Sequence, residues 1–318
     1  MELAITIALF VLGLIFVIKG GDYFVDAASW IAEKTGVPKL IVGATIVSVA
    51  TTLPEMLVSC MAAAQGKVDL SIGNAVGSVT ANIGLIMALA IIFMPGAINR
   101  KTYLLKSILM LTAAALIALC GFFGQVSIPI SCALIAIFAL FIWENIRDAL
   151  HHMRQKKDRS EDEIENVRKG VIAAKFIFGA AGIIVGAQLL VDNGSLIAQH
   201  IGIPERVIGV TLVAVGTSLP ELITTITAII KRQSALSIGN ILGANIIDLT
   251  LIMPLSSLIA GKPLPISPSM AMIDLPACLF VGLIAIVPAM ILSKFSRWQG
   301  ILLLLVYAGY ITLTCSRI

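Results

Sequence analysis

The 318-residue chain is short of charge: Asp, Glu, Lys and Arg make up 13% of it, against about 25% in soluble domains. It has no polar stretch long enough to form a soluble domain. Its five cysteines (Cys60, Cys120, Cys132, Cys278 and Cys315) are odd in number, scattered through apolar segments and without metal-like spacing, so they read as small apolar packing residues. The adjacent pair His151 and His152 has no second cluster to complete a metal site and is expected at the surface. No basic segment precedes the first apolar run, which begins near Leu3, and no small-residue cleavage site follows it. That run is therefore expected to be a membrane helix, not a signal peptide.

What the chain has in abundance is apolar length. Hydrophobic side chains make up 58% of it and the mean hydropathy is +1.02. Runs able to cross a hydrocarbon core of about 30 Å recur from end to end. The expected spans are 2 to 19, 38 to 64, 68 to 93, 103 to 123 and 127 to 145, then 171 to 192, 205 to 230, 234 to 259, 268 to 292 and 298 to 315. The expected fold is thus an all-α integral membrane protein of ten helices, five (1–145) and five (171–318) around a polar linker (146–170). The less hydrophobic segments from Gly21 to Thr35 and from Asn193 to Ile201 are expected to continue the preceding helices as amphipathic extensions. With the N-terminus outside, 18 of the 22 Lys and Arg residues fall on the cytoplasmic side. The positive-inside rule therefore puts both termini outside and the linker in the cytoplasm.

Sliding the sequence by 166 positions aligns GVPKLIVGATIVSVATTLPE from Gly36 with GIPERVIGVTLVAVGTSLPE from Gly202, with ten of twenty residues identical. The same offset matches SIGNAVGSVTANIGLIM from Ser71 with SIGNILGANIIDLTLIM from Ser237, and Asp26 with Asp192. An odd number of spans per half makes the two copies enter the membrane from opposite sides. That is the inverted repeat of many secondary transporters and suggests alternating access.

The repeat carries the chemistry. Glu55 and Glu221 lie in the middle of apolar spans, where a carboxylate costs about 2.5–3.5 kcal/mol to insert, and neither motif supplies a Lys or Arg. Pro54 and Pro220 lack an amide hydrogen, so the carbonyls of Ala50 and Gly216 lose their helical donors and the helices are expected to break. Thr51 and Thr217 share a helix face with the glutamates, and Thr52 and Ser218 add hydroxyls. Asn74, Ser78 and Asn82 form a stripe at spacing four, matched by Asn240, Ala244 and Asp248. Gly73, Gly77, Gly239 and Gly243 beside them also suit close helix packing. With oxygens and amides but no histidine or cysteine, the cluster favours Na⁺, Ca²⁺ or H⁺ over zinc or copper. A channel, and an intramembrane aspartyl protease using Asp248, are the readings of other classes; no second aspartate stands in a matching protease motif.

At these residues the sequence resembles the sodium/calcium exchanger family of the Ca²⁺/cation antiporter superfamily, with its GTSLPE and GN…GSN…(N/D) layout in two copies. The resemblance covers nearly the whole chain. It implies a non-enzymatic antiporter of the compact prokaryotic kind in the cell membrane, exchanging Ca²⁺ for Na⁺, with no cofactor, nucleic acid or obligate protein partner. It implies Glu55 and Glu221 as central Ca²⁺ ligands aided by Thr51 and Thr217. Thr52, Ser78, Asn82, Ser218 and Asp248, with the carbonyls of Ser48 and Ala214, would line the ion sites. Two departures stand out: Ala50 replaces the usual glycine, and Ala244 the usual serine. A carboxylate in a low-dielectric cavity can take up a proton instead, which makes Ca²⁺/H⁺ exchange the nearest alternative, beside a K⁺-dependent Na⁺/Ca²⁺ exchanger. The linker is too short for the sensing domains of animal exchangers, since independent domains need about 50 residues or more.

Overall fold

The structure is a computed structural model and describes residues 2–157, 169–201 and 216–317. Its first half consists of α1 (Glu2–Thr35), α2 (Lys39–Thr51), α3 (Leu53–Ala64), α4 (Val68–Phe93), α5 (Arg100–Phe123) and α6 (Ile128–Lys157). The second half holds α7 (Lys169–His200), α8 (Leu219–Ile230), α9 (Ser234–Ala260), α10 (Met270–Leu292) and α11 (Arg297–Arg317). The only extended segments among the described residues are four two-residue strands, β1 (Gly96–Ala97), β2 (Gln125–Val126), β3 (Leu264–Pro265) and β4 (Lys294–Phe295).

Seven of these helices are long and apolar enough to cross a bilayer, or eight if the bent pair α2 and α3 counts as one span. The 12-residue α8 and the 21-residue α11 fall outside that set. Residues 202–215, which the expected span 205 to 230 places before α8, lie outside the described residues. The amphipathic extensions are borne out: α1 and α7 run unbroken for 34 and 32 residues. At 1.5 Å per residue each is about 50 Å long, well beyond the hydrocarbon core. The helix that contains the expected span 127 to 145 continues into the polar stretch as far as Lys157. Glu144 and Asn145 are buried there, and Arg147 lies over the Trp143 ring. Residues 158–168 of the expected linker lie outside the described residues.

The helices that carry the repeated motifs form the centre. The most apolar stretches of α4 and α9 are 72% and 83% buried, against 17%, 28% and 22% for α1, α6 and α7. Large apolar side chains on the outside, among them Ile5, Leu57, Phe122, Phe178 and Leu305, are exposed, as lipid-facing surface requires. Glycine lets the centre close. A Cβ on Gly43 of α2 would run into the Leu236 carbonyl of α9, and one on Gly239 of α9 into the Leu40 carbonyl of α2. Only backbone without side chains fits there.

The strands join the halves at both ends. β1 pairs with β4 (Gly96 with Phe295, Ala97 with Lys294) and β2 with β3 (Gln125 with Pro265, Val126 with Leu264). Since α5 leads from β1 to β2 and α10 from β3 to β4, these pairings set the two helices side by side and antiparallel, and they do pack together. α5 and α10 occupy corresponding places in the two halves.

Candidate functional site

The local break is the first thing that positions the site. Pro54 cannot return a hydrogen bond to Ala50, and the chain bends by 46° between α2 and α3. Thr52 sits at the break with φ −85° and ψ −1°, and Ser218 before α8 has nearly the same conformation, φ −84° and ψ 7°. In both places the proline falls within the first two residues of the new helix and the glutamate in its first turn. Each glutamate thus stands in the turn at the positive end of a helix dipole.

Glu55, Glu221 and Asp248 are 1%, 0% and 0% exposed. Both oxygens of Glu55, both of Asp248 and Oε2 of Glu221 lack a hydrogen-bond partner among the described residues. Glu55 lies within electrostatic range of Glu221 and Asp248, and Asp248 within range of Glu221. None takes part in the described salt bridges, which use Glu33, Glu144, Asp148, Asp22 and Asp26. Among the described residues no three His, Cys, Asp or Glu side chains close on a single point. A cation here would therefore need hydroxyl, amide and carbonyl oxygens as well as the acids.

Those oxygens are close by and come in reciprocal pairs. Thr51 Oγ1 lies 3.1 Å from Asn240 Oδ1, and Thr217 Oγ1 lies 3.3 Å from Asn74 Oδ1. Both partners shift by the repeat offset of 166 positions. Thr52 donates to Glu221 Oε1 at 3.3 Å. Ser218, its counterpart, lies beside Glu55 without a well-formed bond. Ser48 is buried; its hydroxyl donates to the Thr45 carbonyl at 3.1 Å, and its own carbonyl accepts the Thr52 amide at 2.9 Å. Ser78 and Asn82 are buried on α4, and Ala244 and Asp248 on α9. Ala214 lies outside the described residues. Asn74 also donates to the Glu55 carbonyl at 3.1 Å and to Ser59 at 2.9 Å, holding α4 to α3.

A cavity of about 1050 Å³ reaches this cluster from one side, bordered by Pro54, Asn74, Ser78, Thr217, Asp192 and Tyr310. On that side a Cβ on Gly77 would meet nothing within 4 Å among the described residues, whereas its counterpart Gly243 packs against Ala44 and Ser48. The close-packing role of the glycines thus holds for Gly239 and Gly243 and not for Gly77.

Three features escaped the reading of the sequence. Asn82 and Asp248 each open a π-helical turn, Asn82–Met87 and Asp248–Ile252, at corresponding positions; such turns recur at functional sites. Asn245 is fully buried and accepts a hydrogen bond from Asn82 at 3.1 Å. It belongs to the GAN of the second copy, but it aligns with Val79, so symmetry gave it no counterpart. Lys106 and Glu144 form a buried ion pair at 2.7 Å between α5 and α6.

A helical multi-pass fold with carboxylates and hydroxyls from two related motifs gathered at its centre defines a membrane cation transporter. The family model for sodium/calcium exchanger proteins matches residues 5–146 and 171–315. The chain belongs to the sodium/calcium exchanger family. It is 32% identical to "Uncharacterized membrane protein MJ0091" of Methanocaldococcus jannaschii, covering 96% of both chains. It is 30% identical to "Sodium/calcium exchanger MaX1" of Methanosarcina acetivorans, covering 97% of this chain and 98% of the relative. The structure of the sodium-calcium exchanger NCX_Mj soaked with 2.5 mM Na⁺ and 10 mM Sr²⁺ superposes with a TM-score of 0.83 at 30% identity, covering 98% of this chain and 99% of that one.

Proposed function

We propose that the protein is a secondary antiporter that exchanges Ca²⁺ for Na⁺ by alternating access. One observation carries the reading: three buried carboxylates, Glu55 and Glu221 from corresponding places in two copies of one motif and Asp248 from the helix after the second copy, have no basic partner among the described residues. Three like charges in a low-dielectric interior repel strongly, and a bound divalent cation or several monovalent ones would remove the cost. Glu55 and Glu221 bind Ca²⁺ with Thr51 and Thr217. Na⁺ takes flanking positions that share these acids and use Ser48, Thr52, Ser78, Asn82, Ser218, Asp248 and the Ala214 carbonyl. The ions then exclude one another, and only a neutralised site moves at low cost. Ca²⁺ and Na⁺ are cargo, and the cycle needs no cofactor and no partner protein.

In this reading the halves 1–145 and 171–318 are inverted repeats of five spans each, joined by a cytoplasmic linker, 146–170, with both termini outside. The antiparallel run of α5 and α10 supports it, as do the names of MaX1 and NCX_Mj, which are called sodium/calcium exchangers. One observation favours a second reading. Ala244 is fully buried where the first half has Ser78, so one Na⁺ position lacks a hydroxyl, and a proton on a carboxylate would replace that ion.

The test is Ca²⁺ flux in proteoliposomes under Na⁺, K⁺ and pH gradients imposed one at a time. The proposal expects Ca²⁺ uptake driven by an outward Na⁺ gradient. Uptake driven by the pH gradient alone would establish the second reading. Ca²⁺ conductance that persists without any counter-ion would make the protein a channel and defeat both.

A further inference from the structure

We infer that Asn245 is a positioning residue that fixes the Asn82 side chain so that its oxygen, and not its NH₂ group, faces the cation site. The inference rests on the exchange reading above and extends it to a residue outside the motif's ion ligands.

An asparagine amide is a nearly symmetric fork with opposite chemistry on its two prongs: one accepts, the other donates. A cation site needs the accepting prong, and a flipped amide would offer it a repelling NH₂ group. In water the choice costs little. Asn82 is 1% exposed, so the neighbouring side chains must settle it. Asn82 Nδ2 donates to Asn245 Oδ1 at 3.1 Å. Asn82 Oδ1 is left buried and without a partner, on the π-helical turn that packs against α8, whose first turn carries Glu221.

Asn245 has the same ambiguity, and Met110 of α5 resolves it. Asn245 Nδ2 lies 3.7 Å from Met110 Sδ. A thioether sulfur accepts weakly and cannot donate, so Asn245 turns its NH₂ group to Met110 and its oxygen to Asn82. The relay crosses three helices, from α5 through α9 to α4, and ends on an oxygen that only a cation or a donor can satisfy.

The other half confirms the logic by contrast. The counterpart of Asn82 is Asp248, whose carboxylate offers oxygen on both prongs and needs no orienting. The counterpart of Asn245 is Val79, fully buried, which provides no hydrogen bond. An amide in the site comes with a partner that sets its direction; a carboxylate comes with an apolar neighbour.

The experiment measures Na⁺-driven ⁴⁵Ca²⁺ uptake in proteoliposomes holding the full chain. Its variants are Asn245→Val, which copies position 79, and Asn245→Ala, which cannot clash; melting in detergent shows which are folded, and either one carries the test. The expected result is a rise of about tenfold in the apparent KM for Na⁺, the loss of one oriented ligand at a flanking Na⁺ position, with maximal rate within about twofold. In an Asn82→Asp background the same Asn245 substitution should leave KM within about twofold, because a carboxylate has no wrong face. An unchanged KM in the single variants would overturn the inference, as would an equal rise in both backgrounds, which marks a general packing defect. Wild-type protein with no Na⁺-driven uptake would instead overturn the exchange reading on which this one depends.

Discussion

Two kinds of buried acid lie within the same set of helices. Glu144 on α6 is 2% exposed and Lys106 on α5 is fully buried, and their side chains meet at 2.7 Å. Glu55, Glu221 and Asp248 are as deeply buried, but among the described residues the one hydrogen bond to their carboxylates comes from the Thr52 hydroxyl to Glu221, and the three lie within electrostatic range of one another. Depth in an apolar helix therefore does not by itself mark an acid as functional. What separates the two kinds is the identity of the partner. A carboxylate already neutralised by lysine has no use for a travelling ion, whereas three that lack such a partner have an unmet need for positive charge.

The largest expected effect bears on the second kind. Glu55→Gln and Glu221→Gln should each reduce Na⁺-driven Ca²⁺ uptake to the level of empty liposomes while keeping the elution profile of the folded protein. Full transport by either variant would erase the distinction between the two kinds of acid. The next effect bears on the ion pair. Lys106→Met leaves Glu144 buried and alone, and should cost about 3–5 kcal/mol of stability, seen as a lower melting temperature. Replacing both, Lys106→Met with Glu144→Leu, should recover most of that loss, to within about 1 kcal/mol, and should still transport Ca²⁺. Loss of transport in a stable double variant would show that the pair belongs to the ion pathway.

Smaller effects sharpen the contrast. Asp248→Asn makes the second half resemble the first and removes one of three charges. It should shift the Na⁺ dependence of uptake by roughly fivefold, with a smaller change in the Ca²⁺ dependence. Lys231 provides the surface control: it reaches Asp26 at 2.8 Å and Asp22 at 3.2 Å, but those carboxylates are about half exposed. Lys231→Gln should change stability by no more than about 1 kcal/mol, since water already solvates both acids.

The sequence made one kind of acid legible and hid the other. Glu55 and Glu221 stand out because a proline precedes each and a second copy repeats the pattern, so one line of text holds both the cost and its periodicity. Glu144 and Lys106 lie 38 positions apart on different helices, and nothing local announces that they meet. Thr51 and Thr217 were visible on the face of the glutamates, and Asn74 and Asn240 in the two stripes, but their crossing between halves depends on tertiary packing. Asn245 was hidden for the opposite reason: alignment of the copies favours what is shared, and its value lies in what differs. The continuation of α1 and α7 was legible in the less apolar tails that follow their apolar runs, whereas the charged composition after residue 145 gave no sign that α6 stays helical to Lys157.

The small strand pairs bear on how the chain is held together. Because β1 pairs with β4 and β2 with β3, the first half contributes one side of a clasp at each end of the molecule and the second half the other. Among the described residues every strand pairs with one from the other half. Two separately made halves would therefore each carry one of the complementary edges at both ends of the molecule.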